Sequence, residues 1–113
     1  MSGLKRALTF NNARDKGLVH GDYIFKGLPE EFVGKLEYKV WGKYMNLLLY
    51  FQSDDKRKYL LSIYRNRGGS KYAPRNMPDF DLSDTSIHPG MKFRVVTKLT
   101  KSGNSDLFEA ELL

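Results

Sequence analysis

From Glu31 onward, apolar and polar positions alternate with a period of two, the signature of half-buried strands. In the first such run, Phe32, Leu36, Tyr38 and Val40 alternate with Val33, Lys35, Glu37, Lys39 and Trp41. Gly42 and Lys43 make a tight connection to a second run, with Met45, Leu47, Leu49 and Phe51 on one face. Tyr44, Asn46, Leu48, Tyr50 and Gln52 occupy its other face. A turn over residues 53–56, with two aspartates at its centre, leads to a third run. There Tyr59, Leu61 and Ile63 alternate with Lys58, Leu60, Ser62 and Tyr64. Three strands joined by short turns predict an antiparallel meander.

Residues 65–90 break the alternation. The stretch Arg65-Asn66-Arg67-Gly68-Gly69-Ser70-Lys71 reads as a basic loop, and Pro74, Pro78 and Pro89 forbid a long helix. One helical turn is expected over 78–85. Strand periodicity resumes at Met91, where Met91, Phe93, Val95 and Leu99 alternate with Lys92, Arg94, Val96 and Lys98. A hairpin turn around Ser102-Gly103-Asn104 leads to a last strand, with Phe108, Ala110 and Leu112 expected to face inward. The segment before Glu31 is less patterned. Thr9 is placed to cap a short helix through Phe10, Ala13 and Arg14, ended by Gly17, and Tyr23–Lys26 suits an edge strand. The chain thus reads as mostly β: a meander of three strands, a long excursion and a hairpin. That is the strand order of a five-stranded OB-fold-like antiparallel barrel with a long loop between strands 3 and 4. An SH3-like barrel or a small sandwich gives a similar string.

Length and composition narrow the class. The 113 residues fit a single domain spanning 1–113, and 41% apolar with 28% charged residues is a globular profile. The absence of cysteine excludes disulfides, cysteine-ligated zinc, iron–sulfur clusters and thiol nucleophiles. It fits a reducing, cytoplasmic setting. Met1–Phe10 carries Lys5 and Arg6 with no apolar run after them, so no signal peptide is expected there. The longest apolar run, Leu47–Phe51, is a buried strand rather than a bilayer span, so no membrane partner is expected.

The net charge of +6 and pI near 9.6 favour polyanionic partners. Where the charge sits is more telling. Between Lys56 and Arg75 stand seven basic residues (Lys56, Arg57, Lys58, Arg65, Arg67, Lys71 and Arg75) and no acid, with Tyr59, Tyr64 and Tyr72 interleaved. Phosphates need cations, unstacked bases need flat apolar surfaces, and a groove offering both binds single strands with little sequence preference. Arginine adds a planar fork for phosphate, and Gly68-Gly69 lets the backbone come close to one. The same residues also suit a solvated hairpin and a surface loop. The outward faces of the first three strands are expected to carry Trp41, Tyr44, Tyr50 and Tyr64, with Lys35, Lys39 and Lys58 nearby. Core packing uses one face of each strand, so large aromatics on the other need a reason. Base stacking is one, and a second small core is the other. The expected phosphate ligands are Lys35, Lys39, Lys58, Arg65, Arg67, Lys71 and Arg75, and the expected stacking residues are Trp41, Tyr44, Tyr50, Tyr64 and Tyr72.

Catalytic signals are weak. His20 and His88 lie far apart, each beside a turn residue. Asp79, Asp81 and Asp84 are spaced so that they offer carboxylates for a Mg²⁺-dependent nuclease, or caps for turns. No Gly-rich nucleotide fingerprint and no serine elbow is present. No enzyme activity, cofactor or metal is expected.

In strand spacing from Phe32 to Leu113, and in these aromatic and basic residues, the chain resembles the OB-fold single-stranded DNA-binding proteins, especially the small, diverse ones encoded by bacteriophages. The resemblance implies a barrel that binds single-stranded DNA, with RNA as an alternative, along its central strands and flanking loops. It further implies homo-oligomers such as dimers, and a role in replication or recombination in the host cytoplasm. There are two departures. The segment that often holds a helix between strands 3 and 4 is broken by glycine and proline. The chain also ends in a strand-like Phe108-Glu109-Ala110-Glu111-Leu112-Leu113, where many bacterial members carry a disordered acidic tail. The main alternative is a protein-binding module of the same fold, such as a phage inhibitor of a host factor.

Overall fold

The computed structural model describes residues 23–42, 44–65 and 69–113. The expected helix at 9–17, His20, Lys43 and the tip of the basic loop with Arg67 lie outside them. Five strands form: β1 (Glu31–Trp41), β2 (Leu47–Ser53), β3 (Lys58–Ile63), β4 (Lys92–Leu99) and β5 (Ser105–Leu112). They make one antiparallel sheet in the order β3-β2-β1-β4-β5, and there is no helix among the described residues. β1 is shared: its first half pairs with β4, its second half with β2, and Gly34 and Lys35 pair with both.

The predicted alternation holds as far as Leu36 and then changes face. Leu36 pairs with Phe51, but the next ladder pair is Tyr38 with Tyr50, so Glu37 is an extra residue in a β-bulge. Because side chains alternate with a period of two, one inserted residue exchanges the faces of everything after it. Lys39 and Trp41 therefore join Leu36 on the main core side, opposite Leu49 and Leu47. Tyr38 and Val40, expected on the core side, go to the other face opposite Tyr50 and Leu48. A second bulge lies between Val96 and Thr97, with Phe108 as the extra residue. Leu107 and Ala110 point inward, while Phe108, expected inside, lies half-exposed beneath the Lys98 ammonium at 3.9 Å from the ring centroid. Leu99 and Leu112, also expected inside, are exposed near the ends of their strands.

Two cores follow. The main one joins Phe32, Leu36, Leu49, Phe51, Leu61, Phe93 and Val95 of the sheet with Tyr72, Leu82 and Ile87 of the long β3–β4 connection. That connection is a chain of tight turns rather than the expected helical turn. Phe80 N donates to Met77 O at 3.0 Å, and Ile87 N to Asp84 O at 3.0 Å. Its prolines and the side-chain bonds of its aspartates compete with a helix. The smaller core, on the opposite face, holds Tyr23, Val40, Leu48 and Tyr50, with Tyr38 and Leu60 packed against it.

β3 and β5 approach each other without a ladder, so the sheet does not close by strand pairing. Two segments span the gap instead. Ile24 lies parallel to β3, its N–H donating to Lys58 O (3.0 Å) and its carbonyl accepting from Leu60 N (2.9 Å). This is the edge strand expected near 23–26, reduced to single bridges. Lys26 bridges Asn104, and Leu28 N donates to Ser105 Oγ at 3.0 Å. On the other side of the gap, Arg75 N and Asn76 N donate to Leu107 O and Phe108 O. Both strand edges are thus partly covered, which blunts edge-to-edge association.

The bulge makes a testable demand. Glu37→Ala removes bonds to Tyr23 and Lys58 but keeps the register, and is expected to cost about 1–2 kcal/mol in a urea melt. Deleting Glu37 moves Lys39 and Trp41 out of the core and is expected to abolish the cooperative transition. A deletion variant as stable as Glu37→Ala would contradict this register.

Candidate nucleic-acid interface

The gap between β3 and β5 is a groove of about 650 Å³, bordered by the β1–β2 turn, the β4–β5 turn and the segment around Phe25. Each border is built locally. In the β1–β2 turn, Gly42 N donates to Asn46 O at 2.7 Å. The Asn46 carboxamide accepts from Tyr44 N (3.2 Å) and donates to Ser62 Oγ on β3 (2.6 Å). A Cβ on residue 42 would overlap that carboxamide, so this position requires glycine. The turn closes through Met45 in the left-handed region, φ 60°, whose carbonyl accepts from the Tyr72 hydroxyl at 3.0 Å. The result presents Tyr44 at 70% exposure. In the β4–β5 turn, Thr100 N donates to Asn104 O, and Gly103 takes φ 86°, which places Thr100, Ser102 and Asn104 on the groove. Phe25 and Tyr64, each 61% exposed, stand on the groove as well.

A second recess of about 550 Å³ continues past Tyr64, lined by Arg65, Pro74 and Pro78. Ser62, Tyr64, Arg75 and Asp106 line both recesses. Lys26 and Lys101, both exposed, stand beside the groove residues Phe25, Thr100 and Ser102.

Of the residues expected to contact nucleic acid, the structure brings Tyr44, Tyr64, Arg65 and Arg75 together here. Others go elsewhere. Tyr50, expected on an outward face, is fully buried, its ring edge-on to Tyr23 at 4.9 Å. Tyr72 is buried in the main core with its ring 5.0 Å from that of Trp41, which is half-buried and packed against the same core. Lys39, turned inward by the bulge, is 7% exposed and donates to Leu82 O (2.8 Å) and Asp84 O (2.7 Å). It clamps the β3–β4 connection and is not placed to meet a phosphate. Lys58 pairs with Glu37 at 3.0 Å and lies over the Tyr23 ring, and Lys71 pairs with Asp79 at 3.5 Å. Lys35 is exposed but stands in register with Gln52 and Lys92, at the end of β2 away from the groove. The row on β4 is also engaged: Lys92 with Asp54, and Arg94 with Glu31, Glu109 and Glu111.

The three aspartates of the connection bond within that connection, Asp79 to Lys71 and the other two to backbone and hydroxyl groups. Asp81 accepts from Tyr72 N, Ser83 N and Ser83 Oγ. Asp84 accepts from Ser86 N, and this bond, with Lys39 as a smaller contributor, holds its carboxyl below the usual range. Among the described residues no three His, Asp or Glu side chains converge to hold a metal ion.

Sequence reasoning missed Phe25, Asn46 and the polar β4–β5 turn. Phe25 carried a signal, an aromatic beside Ile24 and Lys26 in a segment suited to a sheet edge. Asn46 looked like one more outward polar residue. No known protein-family model matches the chain, and no curated protein or solved structure is significantly similar to it.

The Lys39 clamp has a pH signature. Burial lowers this amine from 10.5 to about 8, opposed by the nearby Asp84 and Asp81. In the unfolded chain it titrates near its ordinary value, so between about pH 8 and pH 10.5 the unfolded state holds more protons and stability rises with pH. Below pH 8 the lysine is charged in both states and the full cost of burying the charge is present. Relative to Lys39→Met, the wild type is expected to gain about 2 kcal/mol from pH 7.5 to pH 10 in urea melts. A difference that does not change with pH would contradict the burial of this amine.

Proposed function

We propose that this protein binds single-stranded nucleic acid without catalysis, in the groove between its β1–β2 and β4–β5 turns, as an OB-fold-like barrel. The observation that carries the reading is the convergence of three exposed aromatic rings, Phe25, Tyr44 and Tyr64, on a groove that also carries Arg75. Rings at that exposure gain little from folding, whereas stacking on unpaired bases is worth about 1–3 kcal/mol per base. The polar neighbours Asn46, Thr100, Ser102 and Asn104 can exchange hydrogen bonds with base edges or sugars. Arg65, Arg75, Lys26 and Lys101 supply cations for phosphates.

The strand order supports the finer fold reading. A β3-β2-β1-β4-β5 sheet whose outer strands approach each other is the order of a partly open OB barrel. In that fold, strands 2–3 and the loops joining strands 1–2 and 4–5 bind oligonucleotides. A recessed groove suits a single strand better than a duplex, whose major groove calls for a protruding helix or ribbon.

Titration of labelled oligo-dT, followed by fluorescence anisotropy, is expected to show binding that weakens steeply with salt. The expected slope is about −2 to −3 in log Kd-derived affinity against log salt, for three to four neutralised phosphates. Tyr44→Ala and Tyr64→Ala are each expected to weaken binding about 5- to 100-fold. Lys35→Gln, away from the groove, is expected to leave it within about twofold. No binding at low salt, or loss of binding in Lys35→Gln alone, would overturn the reading.

A further inference from the structure

Arg75 and Asp106 form an ion pair that stands between the two recesses, and both residues line both of them. The pair has an unusual position in the local charge pattern. Among the described residues lining either recess, Asp106 is the only acid and Arg75 the only cation common to both. The pair also ties the β3–β4 connection to β5, alongside the backbone bonds from Arg75 N and Asn76 N to Leu107 O and Phe108 O. Those backbone bonds draw on neither charged side chain. The Arg75 side chain is 73% exposed and reachable from solvent, whereas that of Asp106 is 28% exposed.

We infer that Asp106 holds Arg75 as a stand-in for a phosphodiester, and that a bound strand displaces it and so joins the two recesses into one track. This inference rests on the proposed reading of the groove as a single-strand site. A carboxylate and a phosphate offer a guanidinium the same thing, a pair of anionic oxygens in a fork geometry. In the free protein Asp106 keeps the guanidinium oriented over the cleft. In the complex a phosphate takes over that contact, and the strand runs from the Tyr44 side past Tyr64 toward Arg65. Asp106 therefore lowers affinity, because each binding event must break the pair.

The test is a double-mutant cycle on oligo-dT affinity at physiological ionic strength, which separates breaking the ion pair from the repulsion of a phosphate by the carboxylate. Asp106→Asn keeps the size of the side chain and frees Arg75. It is expected to tighten binding about fivefold, the scale of releasing an exposed ion pair. Arg75→Gln is expected to weaken binding. In the Arg75→Gln background, where no pair is left to break, Asp106→Asn is expected to bring a distinctly smaller gain, about twofold. Equal gains in both backgrounds would mean that Asp106 acts only as a repelling charge, and no gain in the wild-type background would mean that it does not compete. Either result overturns the latch while leaving the groove reading intact. If the wild type itself does not bind, the groove reading falls and the latch falls with it. Unchanged melting temperatures of the variants would establish that the affinities compare folded proteins.

Discussion

The extra residue at Glu37 decides where most of the other side chains go. A strand has two faces, and a single bulge exchanges them for every position that follows. Upstream of Glu37, Phe32 and Leu36 fill the main core, and downstream Lys39 and Trp41 continue on that side. Tyr38 and Val40 are delivered to the opposite face, where they meet Leu48 and Tyr50 and create a second small core. The Glu37 side chain then accepts from the Tyr23 hydroxyl at 2.7 Å and pairs with Lys58 on β3. One residue thus both sets the register and ties down the segment that covers the outer edge of β3.

That arrangement sorts the aromatic residues into two classes. Tyr23, Tyr50, Trp41 and Tyr72 are held by other rings and by apolar side chains, and their rigidity supports the turns above them. Phe25, Tyr44 and Tyr64 stand at the rim of the β3–β5 gap with most of their surface in water. The charges sort in the same way. Lys39, Lys58, Lys71, Lys92 and Arg94 are engaged by acids or carbonyls of the fold. Among the described residues, the ion pair that stands in the gap itself is Arg75 with Asp106.

Strand positions and the pairings β1–β2, β2–β3 and β4–β5 were legible in the sequence, because the alternation from Glu31 and from Met91 runs between short turns, whereas the β1–β4 pairing was not, since a barrel of another type or a sandwich gives a similar string. The side-chain faces past Leu36 were not, because a bulge leaves no mark in a two-residue period. Glu37 looks like an ordinary polar position until Tyr38 is seen opposite Tyr50. The burial of Tyr50 had a partial signal: Tyr38, Val40, Leu48, Tyr50 and Leu60 together are too apolar for a solvated face. What covers them, Tyr23, lies in the stretch where periodicity was absent. The acid-free run from Lys56 to Arg75 overstated the free charge there, since Lys58 and Lys71 find acids that are distant in sequence. Phe25 and the β4–β5 turn join the site only through the closing of the β3–β5 gap, a tertiary event that no local pattern encodes.

The most direct test of the account is a map of backbone amide shifts in isotope-labelled protein as unlabelled oligo-dT is added. Binding in the β3–β5 gap predicts shifts concentrated at residues 25–26, 44–46, 62–65, 74–76 and 100–106, with Lys35, Lys39 and Tyr50 unmoved. Shifts centred on the outer face of β4 and β5 around Arg94, or none at all at saturating oligomer, would contradict it.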